Sequence, residues 1–186
     1  MIPEISFKAQ YIGNSVIQDR NNKDVVVSSV KLDPNSKNDV KTVEILFEDW
    51  FPQDKGILID DVYYDFIDYY KQKEKKDYYA LTTQNNNFQK LDPEKILGIV
   101  EYSNFANKNY NYIDYIQVNP KYMANKQERE YKNIGSALLD TIKNLNGYKN
   151  IYLNSIHEAV DFYTKNGFKL AHDNIEEPLM VFERIV

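Results

Sequence analysis

The sequence predicts an α/β (α+β) fold: a mixed, mostly antiparallel central sheet flanked by helices, with a β-hairpin as an N-terminal extension. Three observations predict it. Runs of β-branched and aromatic residues of strand length alternate with polar, turn-rich segments along most of the chain. Two segments with helical spacing carry glycine stops, Gly147 and Gly167. Before the first of these helices comes an apolar run, residues 112–118, then Asn119-Pro120 and later the tight turn Asn133-Ile134-Gly135-Ser136. That order reads strand, loop, helix start, and it makes unsatisfied backbone amides converge on a site for an anion such as a pyrophosphate.

Taken in order, residues 24–32 (DVVVSSVKL) and 42–48 (TVEILFE) read as two antiparallel strands. The turn-rich segment 33–39 joins them and Trp50-Phe51-Pro52 closes the pair. Asp60-Asp61 then starts a helix of about four turns, on which Val62, Tyr63, Phe66, Ile67 and Tyr70 recur at helical spacing. Lys71, Lys73, Lys75 and Lys76 crowd its end, where they complement the helix dipole. Residues 78–83 and 96–105 read as the next strands, separated by Gln84-Asn85-Asn86-Asn87 and Asp92-Pro93. Residues 112–118 continue the meander. The helix from Ile134 places Leu138, Ile142 and Leu145 on the same face, with Gly147 as its stop. A short strand at 150–154 follows. Ser155-Ile156-His157-Glu158 has capping-box spacing, so a helix should begin there and run to Asn166, with Gly167 ending it. Residues 168–171 and 179–184 read as the final strands.

The 186 residues suit one domain, with no internal repeat and no clear linker. No run approaches the roughly 20 apolar residues of a membrane span, and Met1-Ile2-Pro3-Glu4 lacks the basic and apolar regions of a secretory signal. A soluble, cytoplasmic protein without a membrane partner is expected. The absence of cysteine removes disulfides and thiolate chemistry, and two histidines make a metal site improbable. A net charge of -5 argues against a nucleic-acid partner and suits a cationic or neutral substrate. Sixteen tyrosines identify nothing by themselves.

From about Ile96 onward the chain resembles the GNAT (Gcn5-related N-acetyltransferase) superfamily. In that family an Arg/Gln-x-x-Gly-x-Gly/Ala loop after the central strand holds the pyrophosphate of acetyl-coenzyme A (acetyl-CoA) on backbone amides. The matching stretch is Glu130-Tyr131-Lys132-Asn133-Ile134-Gly135, with Glu130 in place of Arg or Gln and Asn133 in place of the first glycine. Asn tolerates a left-handed backbone, so Asn133 can keep the turn. Arg129, Lys126 or Lys132 would supply positive charge. The stretch Ala159-x-x-Phe162-Tyr163-x-Lys165-x-Gly167-Phe168 follows the family's helix-to-strand signature, in which the tyrosine acts as general acid toward the departing thiolate.

The resemblance therefore implies one GNAT-like domain over 1–186, with an atypical strand region at 1–55 and an acetyl-CoA-binding core at 96–186. It implies N-acetyltransferase activity, acetyl passing from acetyl-CoA to a primary amine of a small molecule or polypeptide by direct attack. Tyr163 is the expected acid, and Asp114 or Glu101 the expected proton acceptor through water. Ile116, Gln117 and Val118 would contact the pantetheine, Asn154 would face them across a splayed gap, and Arg129, Lys132, Asn133, Ile134, Gly135 and Ser136 would hold the pyrophosphate. His157 is a weaker candidate for a base, and His172 falls at the end of a predicted strand with no partner identified. Tyr63, Tyr64, Tyr69 and Tyr70 fall where acceptor pockets often lie, although ordinary packing explains them. The N-terminal strands could extend the sheet, cover the acceptor site or mediate a homodimer. The competing reading is a non-catalytic relative that binds a protein partner, motivated by Glu130 and Asn133.

Overall fold

The computed structural model describes residues 8–53, 58–72, 76–123, 128–173 and 177–184. It opens with β1 (Gln10–Asp19) and β2 (Asp24–Leu32), followed by α1 (Lys37–Trp50) and α2 (Leu58–Ile67). Next come β3 (Lys76–Thr82), β4 (Ile96–Ser103), β5 (Tyr110–Val118), the two-residue β6 (Tyr131–Lys132) and α3 (Ile134–Leu145). The chain then forms β7 (Asn150–Asn154), α4 (Val160–Lys165), β8 (Lys169–His172) and β9 (Leu179–Phe182). Among the described residues, one sheet carries all nine strands in the order β6-β1-β2-β3-β4-β5-β7-β9-β8. Its pairs are antiparallel except β5 with β7. This is the mixed, mostly antiparallel sheet that the sequence predicts.

Strand alternation splits the core between the two faces of the sheet. Val30, Leu32, Tyr78, Ala80 and Ile99 pack under α1 and α2 with Val43, Leu46, Trp50, Val62 and Phe66. Val27, Tyr79, Leu81, Val100, Tyr102 and Ile113 pack on the other side with Leu138, Ile142, Tyr163 and Phe168 of the α3/α4 half. Gly98 of β4 sits where three elements meet. A Cβ there would lie 2.9 Å from the Gln117 carbonyl oxygen and 2.9 Å from Leu138 Cδ1, so only glycine lets β5 and α3 come this close.

Two N-terminal expectations need correction. The segment 42–48 is not a strand but part of α1. Its β-branched content suggested a strand, but Val43, Leu46 and Trp50 are buried at helical spacing, and the Ser36 hydroxyl accepts from the Asp39 amide at 3.3 Å as an N-cap. The hairpin exists, but its partner for β2 is β1, which extends the sheet. β1 escaped notice because it is polar, interrupted by Gly13 and fully buried only at Ile17. The predicted four-turn helix is also shorter: α2 ends at Ile67, a 3-10 turn covers Tyr69–Lys71, and Lys76 begins β3 rather than ending a helix. Lys73 and Lys75 lie outside the described residues.

Toward the C-terminal end the predicted strands agree with β7, β8 and β9 to within two residues. Gly147 and Gly167 adopt positive φ (67° and 85°) just past α3 and α4. After α4, the Phe168 amide reaches back to the Tyr163 carbonyl at 3.0 Å, the long-range bond of a Schellman stop. The capping box does not form. The Ser155 hydroxyl instead donates to the Ile156 carbonyl at 2.7 Å, and α4 is preceded by a 3-10 turn over His157–Ala159.

Candidate active site

β5 and β7 run parallel only at Tyr110/Asn150, Asn111/Ile151 and Tyr112/Tyr152. Beyond that point β5 continues to Val118 with no strand among the described residues on this edge, and β7 turns its remaining residues, Leu153 and Asn154, to β9. The result is a V-shaped gap. On its other edge β5 pairs with β4, where Glu101 faces Tyr115 and Tyr102 faces Ile113, so Asp114 is the extra residue of a β-bulge. The closed end of the gap is pinned by a buried polar knot. Asn111 Nδ2 donates to the Tyr102 hydroxyl and to Asn146 Oδ1, each at 2.7 Å, and the Tyr102 hydroxyl donates to Asn146 Oδ1 at 2.6 Å. Tyr112, which the sequence reading did not single out, reaches across the gap to a backbone hydrogen bond with Asn154.

Ile116, Gln117 and Val118 stand on the unpaired stretch of β5, with Gln117 buried and the other two partly buried. Gln117 Nε2 is bonded to the Val118 carbonyl at 3.0 Å. Asn154 stands at the end of β7, its side chain bonded to Glu177 at 3.0 Å. The expected pantetheine residues therefore lie along one strand, with Asn154 across the opening.

α3 starts at Ile134. Asn133 precedes it with φ 64°, the left-handed backbone that an Asn can adopt, and its side chain does not cap the helix. The first helical bond runs from the Ala137 amide to the Asn133 carbonyl at 3.0 Å. The amides of Ile134, Gly135 and Ser136 precede it, at the positive end of a 12-residue helix. Gly135 packs tightly on α4, because a Cβ there would lie 2.9 Å from Phe162 Cζ. Lys132 is engaged elsewhere: its ammonium donates to the Arg20 carbonyl at 3.1 Å and to Asn22 Oδ1 at 2.8 Å. Glu130 is exposed and interacts with the Tyr131 hydroxyl, and Arg129 is partly buried beside it. Lys126 lies outside the described residues.

Tyr163 is almost fully buried, its ring edge-on to Phe162 and Phe168 with centroids 5.1 and 5.8 Å away. Burial pushes its phenol up to about 12, so it stays protonated at neutral pH, as a proton donor requires.

The α1/α2 face holds a charged cluster. The Lys76 ammonium is hydrogen-bonded to Glu101 Oε1, lies 2.5 Å from Asp65 Oδ2 and 3.9 Å from Asp114 Oδ1, and sits 5.8 Å from the Tyr115 ring centroid. Burial would lower its pKa, but the Asp65 and Glu101 carboxylates raise it well above the usual lysine range. Glu101 is wholly buried and its Oε2 has no hydrogen-bond partner among the described residues. Burial raises its carboxyl to about 8 against the lowering effect of Lys76. Asp114 is also raised by burial, while a 2.7 Å bond from the Ser103 hydroxyl and the charge of Lys76 oppose the rise. Asp61 of α2 is raised as well, first by burial and then by neighbouring carboxylates.

The structure thus brings Glu101 and Asp114 together around Lys76, with one cation among several carboxylates as far as the described residues go. Lys76 and Asp65 are the members that sequence reading missed. Lys76 looked like the end of a charged helix, and no local signal marks its burial. His157 and His172 lie on exposed segments, away from this cluster in the chain order of the sheet. Tyr63 and Tyr69 pack against the α1/α2 core, as the plainer expectation held, whereas Tyr64 and Tyr70 are exposed.

No sequence-family model matches the chain, and no curated relative does. Solved structures do. A Lactobacillus plantarum protein assigned as an N-acetyltransferase aligns over 86% of this chain and 99% of its own at 14% identity, with a TM-score of 0.57. Tetrahymena GCN5 aligns over 94% and 99% at 12% identity with a TM-score of 0.52. PaiA N-acetyltransferase from Thermoplasma acidophilum, solved in complex with coenzyme A, aligns over 86% and 99% at 16% identity with a TM-score of 0.50. The chain has the GNAT fold.

Proposed function

We propose that this protein is an N-acetyltransferase that moves an acetyl group from acetyl-CoA to a primary amine, on a small molecule or a polypeptide, with a cationic acceptor preferred. The observation that carries the reading is the gap between β5 and β7, which opens beyond Tyr112/Tyr152. The site fits acetyl-CoA in two respects. The open edge of β5 at residues 113–118 offers backbone groups to pantetheine amides, and the amides of Ile134, Gly135 and Ser136 offer donors to a diphosphate. The complex of PaiA with coenzyme A supports the same choice.

Acetyl-CoA supplies a thioester carbonyl open to attack. The acceptor enters from the α1/α2 face, where, among the described residues, the carboxylates of Asp65, Glu101 and Asp114 outnumber the Lys76 ammonium and favour a cation. Its amine must lose a proton before attack, and Glu101 takes that proton through water, with Asp114 alongside. An isolated carboxylate near pKa 4 would be a poor match for an ammonium, and the burial of Glu101 narrows the mismatch. The amine nitrogen then bonds to the acetyl carbon, the carbon–sulfur bond breaks, Tyr163 donates its phenolic proton to the departing sulfur, and the extra proton left on the nitrogen passes through water to the Tyr163 phenolate, which leaves a neutral amide and a free thiol. Holding both partners against β5 provides the orientation.

Isothermal titration with acetyl-CoA, with desulfo-coenzyme A for comparison, tests the first step, and mass-detected acetylation of an amine panel tests the second. Saturable binding with transfer supports the reading. No binding at millimolar acetyl-CoA overturns it and leaves the non-catalytic partner-binding alternative, which the exposed Glu130 beside the turn would favour.

A further inference from the structure

We infer that the N-terminal hairpin is a positioning element of the anion-binding turn, with Gln18 and Asn22 as the residues that hold it. This inference rests on the acetyl-CoA reading above. The turn before α3 lacks the glycine that would accept a left-handed backbone without cost, and Asn133 stands there at φ 64° with no cap of its own. What holds it comes from β1. Asn133 Nδ2 donates to Gln18 Oε1 at 3.1 Å, and β6 pairs antiparallel with the end of β1, Gln18 opposite Lys132 and Asp19 opposite Tyr131.

The hairpin is itself a stiff anchor. Asp19 Oδ1 accepts from the amides of Asn21 and Lys23 at 2.7 and 2.9 Å, and Asn22 takes the left-handed conformation at φ 62°. Lys132 extends onto this turn, donating to the Arg20 carbonyl and to Asn22 Oδ1. Tyr131 is fixed from the opposite side by an edge-on contact with Tyr122, ring centroids 5.3 Å apart. The residues leading into α3 are therefore clamped by chain more than 100 positions earlier, with separations of 110 for Lys132–Asn22 and 115 for Asn133–Gln18. The clamp sets the direction in which the amides of Ile134, Gly135 and Ser136 face. Gln18 and Asn22 touch no ligand and act through Lys132 and Asn133.

The test is a double variant, Gln18→Ala with Asn22→Gly, the glycine keeping the positive φ of the turn. Loss of two hydrogen bonds predicts a rise of about tenfold in the Kd for acetyl-CoA. The KM for acetyl-pantetheine, which lacks the diphosphate, and the turnover at saturating acetyl-CoA should both hold. In an Asn133→Gly background Gln18→Ala should change the Kd less than about twofold, because glycine needs no brace at that φ. Hydrogen exchange at the Ala137 amide, measured without ligand, should quicken by about tenfold in the double variant. Unchanged Kd together with unchanged exchange overturns the inference, and equal losses for acetyl-CoA and acetyl-pantetheine do so as well. If the unaltered protein fails to bind acetyl-CoA, the proposed function is what fails, and the exchange measurement alone then decides whether the hairpin holds the turn.

Discussion

On the α3/α4 face of the sheet, the groups assigned to the proposed site are mostly backbone: the amides at the start of α3 and the open edge of β5, together with the buried phenol of Tyr163. On the α1/α2 face, side-chain charge dominates, with Asp65, Glu101 and Asp114 around Lys76. Backbone donors suit a ligand whose negative charge stays constant, because they neither titrate nor rearrange. Carboxylates raised by burial suit a ligand that must give up a proton. The gap beside β5 lies between the two faces, so under the proposed function one strand would present the acyl donor to one chemistry and the acceptor to the other.

The sharpest way to break this division is Tyr163→Phe. Turnover should fall by about 10³-fold while the Kd for acetyl-CoA stays within about twofold. Thermal stability should hold or rise, since the hydroxyl lost is buried among Phe162 and Phe168. Steady-state kinetics with titration checks it, and equal turnover removes Tyr163 from the mechanism. Next comes Glu101→Gln, expected to lower kcat by about 10²-fold. A base works when unprotonated, so the rate of the unaltered protein should climb as pH rises through about 8, and the variant should lose that limb. A pH–rate profile unchanged by the substitution would move the proton acceptor elsewhere.

Gly135→Ala probes the packing of α3 on α4 within the first face. Its Cβ would press on the Phe162 ring, so a loss of about 1–3 kcal/mol is expected in denaturant unfolding, together with weaker acetyl-CoA binding. The smallest effect belongs to Asp39, outside both chemistries. Burial raises its carboxyl to about 6 from 3.8, so the folded state binds the proton more tightly than the unfolded one. Its contribution therefore declines as pH rises from about 4 to 6. Asp39→Asn, which keeps an oxygen for the Asp33 amide, should flatten that slope in a pH series of melting temperatures.

The two faces were also unequally legible. The α3/α4 half is written in local signals: Gly147 and Gly167 stop helices, Asn133 tolerates its backbone, and the strands between are short and apolar. Local rules suffice for the helix stops there because each is made by the residues that mark it, whereas the Ser155 capping box, a local signal too, does not form and α4 starts only at Val160. The α1/α2 half depends on distant pairing. α1 hid behind the β-branched Thr42 and Val43, and β1 behind a polar edge that gains its place only by pairing with β2. Lys76 reads as one lysine of a run until β3 carries it to Glu101. Glu101 and Asp114 could be nominated from their strands, but their convergence arises from the register of β3, β4 and β5 and from the bulge at Asp114, which no periodicity reveals. Gly98 likewise carries no local signal for the three elements that crowd it.

The knot of Tyr102, Asn111 and Asn146 behind the gap acts as a fulcrum. Because these side chains bond to one another, β4, β5 and the end of α3 that leads into β7 are tied together when the chain folds, before any ligand arrives. A cleft of that kind is entered without being pried apart, so free and occupied forms should share one backbone. It also gives evolution a remote adjustment screw: exchanging a residue at the fulcrum would alter the width of the mouth while leaving every group that meets the ligand as it was.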